Sequence, residues 1–150
     1  MQLKTLVCLC LGSLTIHAAD STPVGRWRTI DDKTGKPRSI VRIYEDNGQY
    51  FGRVEQSLNQ ATAGRRCDKC TDERKDQPIV GMVIIRSLRK DGEEYKGGDI
   101  LDPDNGKVYS CKVRVKGDKL IVRGYLGASL FGRSQTWIRE SEETSQVSAK

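Results

Sequence analysis

The chain has 150 residues, with 26 Lys and Arg against 20 Asp and Glu, one His, five Cys and 36% hydrophobic residues, a single domain's length with material for a modest core. The first nineteen residues read as an export signal whose removal takes away His17, which excludes hydrolases that need a side-chain imidazole as base or metal ligand. After Ala19 no stretch approaches the roughly 18 consecutive apolar residues that span a bilayer, so no integral membrane segment is expected in the mature chain.

Residues 1–19 open Met-Gln-Leu-Lys, run apolar from Leu6 to Ile16 and end on Ala18 and Ala19, the charged, apolar, small order of a signal peptide. Cleavage near Ala19 also removes Lys4, Cys8 and Cys10. The mature chain then keeps Cys67, Cys70 and Cys111, and a net charge one unit below the +6 of the full sequence.

From residue 20 onward, short β-favouring runs alternate with turn signals. Strands are expected over Val24 to Ile30, Ile40 to Glu45, Gln49 to Gln56, Ile79 to Leu88, Tyr95 to Asp102, Lys107 to Val115, Lys119 to Gly124 and Gly132 to Arg139. Asn47-Gly48, Asp91-Gly92, the Asp102 to Gly106 segment and Gly117-Asp118 supply residues that tolerate positive φ in tight hairpins. Sequential hairpins make sequential strands neighbours. Eight of them remove exposed edges by closing into an all-β, antiparallel up-and-down barrel, whose interior is either filled by side chains or holds one small ligand. The barrel domain is expected to cover residues 20–139, followed by a polar, aperiodic tail over 140–150 read as disordered. Within Lys107 to Val115, alternation turns Tyr109, Cys111, Val113 and Val115 inward and Ser110, Lys112 and Arg114 outward. Ile79 to Ile85 is apolar on both faces, as for a strand covered by the long loop from Ser57 to Gln77.

That loop carries Cys67-Asp68-Lys69-Cys70. Arg65, Arg66 and Lys69 would favour thiolate in a redox dithiol, but such pairs usually sit at a strand-to-helix junction rather than in a loop of an all-β chain. A structural bridge between Cys67 and Cys70 is the more natural reading in an oxidising compartment. Pairing of either one with Cys111, or a redox or metal site drawing on Cys111 and carboxylates, are the alternatives. Asp102 to Gly106 fits a hairpin turn better than a calcium loop, because the glycine comes one position early and Val113 stands where a bidentate Glu belongs. Asp31 with Asp32, and Glu93 with Glu94, are adjacent and on a strand would face opposite ways. No catalytic residue, metal or cofactor is assigned, and the chain is read as a non-enzyme. The positive charge is scattered, with no concentrated basic face for nucleic acid, leaving only weak attraction to anionic envelope surfaces.

Several separated motifs occur together. Gly25-Arg26-Trp27, Thr29 to Pro37, Cys67-Asp68-Lys69-Cys70, Pro78-Ile79-Val80-Gly81, Ile100-Leu101-Asp102-Pro103, Asn105 to Tyr109, Val122 to Gly127 and Phe131 to Trp137 resemble the DUF2147 family of uncharacterised bacterial exported proteins, over about Val24 to Arg139. The resemblance implies a lipocalin-like barrel exported to the periplasm. Gly25-x-Trp27 is also similar to the opening of a lipocalin's first strand, where the Trp closes the narrow end under an Arg from late in the chain, a cation–π contact of about 0.5–2 kcal/mol. Arg123, Arg133 and Arg139 are the candidates for that Arg, with Arg123 or Arg133 favoured.

The expected function is therefore binding or carrying a small, partly apolar ligand. Val41, Ile43, Val83, Ile85, Tyr109 and Val113 would shape the interior, and Tyr109, Val113, Arg123, Tyr125 and Phe131 are the ligand-binding candidates, with Leu126 beside them and an arginine meeting an acidic head group at the barrel mouth. The competing expectations are an envelope interaction module with a filled barrel and, behind it, a thiol-dependent enzyme using Cys67 and Cys70.

Overall fold

Turn chemistry sets where the strands of this chain end. The computed structural model describes residues 22–128 and 130–141, so the expected signal peptide and the expected tail beyond Ser141 lie outside the described residues. Among the described residues there are eight strands: β1 (Gly25–Ile30), β2 (Pro37–Asp46), β3 (Gln49–Ser57), β4 (Val83–Asp91), β5 (Glu94–Asp102), β6 (Lys107–Lys116), β7 (Lys119–Tyr125) and β8 (Gly132–Glu140). Each pairs antiparallel with the next, and β8 returns to β1 through Arg26 opposite Glu140 and Trp27 opposite Arg139, closing the barrel. Asn47 and Gly48 take φ of 50° and 76°, the positive values that a two-residue I′ hairpin demands of both central positions.

The tight β2–β3, β4–β5 and β6–β7 turns share one end of the barrel with the start of β1. That end is solid. Trp27, Ile43, Leu88, Tyr95, Val113 and Leu120 fill it and are all nearly inaccessible to solvent, each contributing about 1.5–3 kcal/mol by burial. Tyr50 packs edge-on to Tyr95 with ring centroids 4.7 Å apart. The opposite end gathers the β1–β2, β3–β4, β5–β6 and β7–β8 connections.

Most strands end one to four residues from expectation, and two of these shifts have consequences. β4 begins at Val83 rather than Ile79: Pro78 has no N–H for a ladder and pairs only as an isolated bridge with Arg66, and Gly81 at φ 93° turns the chain before the strand starts. Val83 accordingly does not shape the interior. It lies half-buried under the loop, where Arg74 Nη1 donates to its carbonyl at 3.1 Å, while the inner positions fall to Ile84 and Ile85 because the β3–β4 register shifts on both sides of Gly52. β8 runs on to Glu140, one residue past the expected end of the barrel domain, and the buried Glu140 carboxylate lies 2.5 Å from Arg28 Nη2.

On β6, Cys111 and Val113 are buried and Ser110 is exposed, following the alternation. Burial, with the charge of Asp99 adding to it, pushes the Cys111 thiol up to about 12. The β3–β4 loop holds a bridge between Cys67 and Cys70, Cα atoms 5.4 Å apart, with both residues buried. Asp72 forks onto Arg74 through Nε and Nη2, and these hydrogen bonds hold its carboxyl down to about 2. Among the described residues no helix is long and apolar enough to cross a membrane.

Candidate functional site

The four connections at the open end surround a cavity of about 610 Å³, within the size range of sites for small ligands. It forms because the interior side chains change character along the barrel. Toward the mouth the wall is built from Val54, Ile84, Ile100, Leu101 and Val122, which line space instead of filling it. Trp137, nearly inaccessible and level with Leu120 on the neighbouring strand, closes the floor. Gly124 leaves a gap in the β7 wall, where a Cβ would stand 3.4 Å from Ile100 Cγ2 and 3.5 Å from Tyr109 Cβ.

The rim is polar and internally paired. Asp104, in the β5–β6 turn, accepts from Arg38 Nη2 at 2.7 Å and from Arg65 Nη1 at 2.9 Å. Burial pushes the Asp104 carboxyl up, but the hydrogen bonds from Arg38 and Arg65 outweigh it and hold it below the ordinary carboxylate range. On the other side Asp32 pairs with Arg133 and accepts from Gln135 Nε2 at 2.7 Å, while Thr29 and Ser39 share a hydroxyl hydrogen bond of 2.7 Å. Tyr109 Oη accepts from Asn105 Nδ2 at 3.1 Å. The arrangement offers an apolar pocket under a ring of charged and hydroxyl groups, suited to a molecule with one apolar and one polar end.

Of the residues singled out in the sequence, Tyr109, Tyr125 and Phe131 line the cavity, and so does Leu126. Val113 does not: it is packed in the solid end. Nor does Arg123, because β7 turns Val122 and Gly124 inward and Arg123 out, where it donates to Ser134 Oγ at 3.1 Å and to Leu130 O at 3.3 Å. Val41, Ile43 and Ile85 are fully buried core residues. The arginine over Trp27 is Arg139, its guanidinium carbon 4.2 Å from the ring centroid, with Nη2 donating to Thr22 O at 2.9 Å and Trp27 Nε1 to Pro23 O at 2.7 Å. Arg133 is at the opposite end of β8, on Asp32, so it and Arg123 are not on Trp27. Sequence reading missed Arg38, Arg65, Asp104, Gly124 and Trp137. Trp137 could have been found, since it alternates with Gln135 on β8. Arg38 and Arg65 meet Asp104 only across 66 and 39 residues.

This geometry has a parallel among solved structures. Protein HP1028 from the human pathogen Helicobacter pylori, described as belonging to the lipocalin family, superposes with a TM-score of 0.71 at 22% identity, covering 81% of this chain and 84% of that one. The likeness is one of fold: an all-β, eight-stranded, lipocalin-like barrel. No curated protein matches the chain. Residues 25–139 match the family model described as "Uncharacterized protein conserved in bacteria (DUF2147)", and the chain belongs to that family.

Proposed function

We propose that this chain is an exported, periplasmic binding protein that holds a small, partly apolar ligand in the mouth-end cavity of its barrel. The observation that carries the reading is the cavity of about 610 Å³, apolar in its walls and polar at its rim. A lipocalin-like fold is compatible with this use, and a hollow interior favours it over a scaffold packed solid from end to end. Tyr109, Tyr125 and Phe131 would contact the apolar part of the ligand, and Arg38, Arg65 and Arg133 would face its polar end. Export rests on the order of charges, apolar residues and small residues in residues 1–19.

A thiol-dependent enzyme fits less well. Cys67 and Cys70 are bridged and buried, and Cys111 is a buried thiol held protonated, whereas thiol catalysis needs an accessible thiolate.

Titration with a fluorescent fatty-acyl probe, read through quenching of Trp137, tests the binding reading. Saturable binding with one site per chain is expected, together with co-purifying mass in native mass spectrometry of protein taken from its own envelope. A barrel that takes up no amphiphile across a panel of acyl chains and head groups sinks it.

A further inference from the structure

Of the large hydrophobic side chains exposed among the described residues, all but Val24 belong to the mouth end of the barrel: Leu58, Val80, Val108, Leu126, Leu130 and Phe131. They are not equally exposed. Leu58, Val80 and Val108 reach 37–38%, but Leu126, Phe131 and Leu130 reach 58%, 75% and 84%, and these three sit in the single β7–β8 connection. Isolated exposed apolar residues are ordinary; a cluster confined to one connection points to a contact.

The tip is a built feature. Leu126 N donates to Phe131 O at 3.2 Å and Phe131 N to Ala128 O at 3.1 Å, and the Arg123 guanidinium braces it from outside through Leu130 O and Ser134 Oγ. From Lys119 to Arg139 the sequence holds Lys119, Arg123, Arg133 and Arg139 and no acidic residue. Asp32, which pairs with Arg133, comes from the β1–β2 connection. At this end of the segment Arg123, which holds Leu130 O and Ser134 Oγ, and Arg133, which is paired with Asp32, flank the apolar tip. Three side chains on one hairpin bury far less than the roughly 800 Å² per partner of a stable protein interface. They are well suited to the boundary between lipid head groups and acyl chains, where apolar side chains dip in and arginines meet phosphates.

We propose that the β7–β8 connection is a membrane-contact tip, which seats Leu126, Leu130 and Phe131 in an anionic phospholipid surface and holds the cavity mouth against it. Leu126 and Phe131 also line the cavity, so the same two residues join the pocket to the bilayer. Transfer of a ligand across that contact rests on the binding reading above; the contact itself does not.

Co-sedimentation of the full chain with phosphatidylcholine vesicles, with and without phosphatidylglycerol, tests the tip. Every variant carries the same N-terminus, so any leader contributes equally. The wild-type chain is expected to bind the phosphatidylglycerol vesicles more tightly. Leu130→Ser, at a residue outside the cavity lining, is expected to weaken that partition at least about tenfold, the loss that follows from removing one inserted leucine, with an unchanged melting temperature and unchanged acyl-probe binding in vesicle-free buffer. Leu130→Trp should show a blue-shifted emission on adding the same vesicles. Vesicle binding that is absent, indifferent to Leu130→Ser, or replaced by self-association that Leu130→Ser disperses overturns the proposal. Failure of the acyl probe in vesicle-free buffer would instead strike at the cavity reading and leave the vesicle result standing.

Discussion

Gly106 lies so close to the backbone of Lys69 that a Cβ placed on it would stand 1.9 Å from the Lys69 carbonyl oxygen and 2.9 Å from the Cys70 nitrogen. The bridged loop thus rests directly on the β5–β6 turn, and Lys69 Nζ donating to Asp104 O at 3.0 Å and Arg65 reaching Asp104 Oδ1 at 2.9 Å secure it beside the cavity rim. Gly106 also has a φ of 73°, where an L side chain is strained. Gly106→Ala is expected to cost at least about 2 kcal/mol in urea unfolding and to speed reduction of the Cys67–Cys70 bridge. An alanine variant of wild-type stability would show that the loop does not dock there.

The bridge itself closes a very short loop, with a sequence separation of 3, so it restricts the unfolded chain modestly. Replacing both Cys67 and Cys70 with Ser should cost about 2 kcal/mol while the barrel persists by circular dichroism. Cys111, buried and raised to about 12, should react with Ellman's reagent only when the protein is unfolded; fast labelling of the native double variant would contradict its placement.

Arg139 and Trp27 close the solid end together. Arg139→Ala removes the cation–π contact of about 0.5–2 kcal/mol and two donations to the backbone, to Val24 O at 3.2 Å and Thr22 O at 2.9 Å. A loss of about 2 kcal/mol in stability is expected, with Arg133→Ala, at an exposed ion pair, costing under about 1 kcal/mol. Equal losses at the two positions would remove Arg139 from its closing role.

Strand number, hairpin turns and the in–out alternation of β6 were legible in the sequence because they rest on local chemistry: Asn47-Gly48 and Gly117-Asp118 make turns, and Cys111 and Val113 alternate with Ser110 and Lys112. What failed depended on register. Val83 and Ile84 look equally apolar in sequence, and only the bulges around Gly52 decide which of them faces the cavity. Choosing Arg139 over Arg123 and Arg133 requires knowing that β8 lies antiparallel to β1 with Arg139 opposite Trp27. The rim likewise comes from four connections remote in sequence, so Tyr109, Tyr125 and Phe131 could be foreseen as apolar lining while the Arg38–Asp104–Arg65 group could not.

Acid should weaken the ion pairs of Asp104 and Asp72. Asp104 and Asp72 both titrate below the ordinary 3.8 in the folded protein, so the native state binds fewer protons than the unfolded chain, and the stability they supply is complete above that value. It is lost as pH falls from 3.8 through about 2, the region where Asp72 takes up its proton. Melting temperatures should therefore be insensitive to these groups from about pH 5 to pH 7 and fall below about pH 4. Asp104→Asn should flatten part of that fall. A steep transition near pH 6 would point to a group other than these carboxylates.

Gly124 offers the most direct way to separate cavity from fold. Its φ is not in the left-handed region, and its Cβ position faces Ile100 and Tyr109 at ordinary contact distance, with the cavity beyond. A leucine at residue 124 would extend into that space and gain apolar contacts, so Gly124→Leu should fold with stability equal to or above that of the wild-type chain. The same side chain takes volume from a cavity of about 610 Å³, beside Ile100 and Tyr109. Acyl-probe binding should therefore weaken by at least about tenfold, as expected when a bulky group displaces a buried portion of an apolar ligand. Trp27→Phe, in the solid end, should do the reverse, lowering stability and leaving probe affinity in place. If Gly124→Leu binds the probe as tightly as the wild-type chain, the ligand does not lie in the mouth-end cavity, whatever the barrel's other surfaces bind.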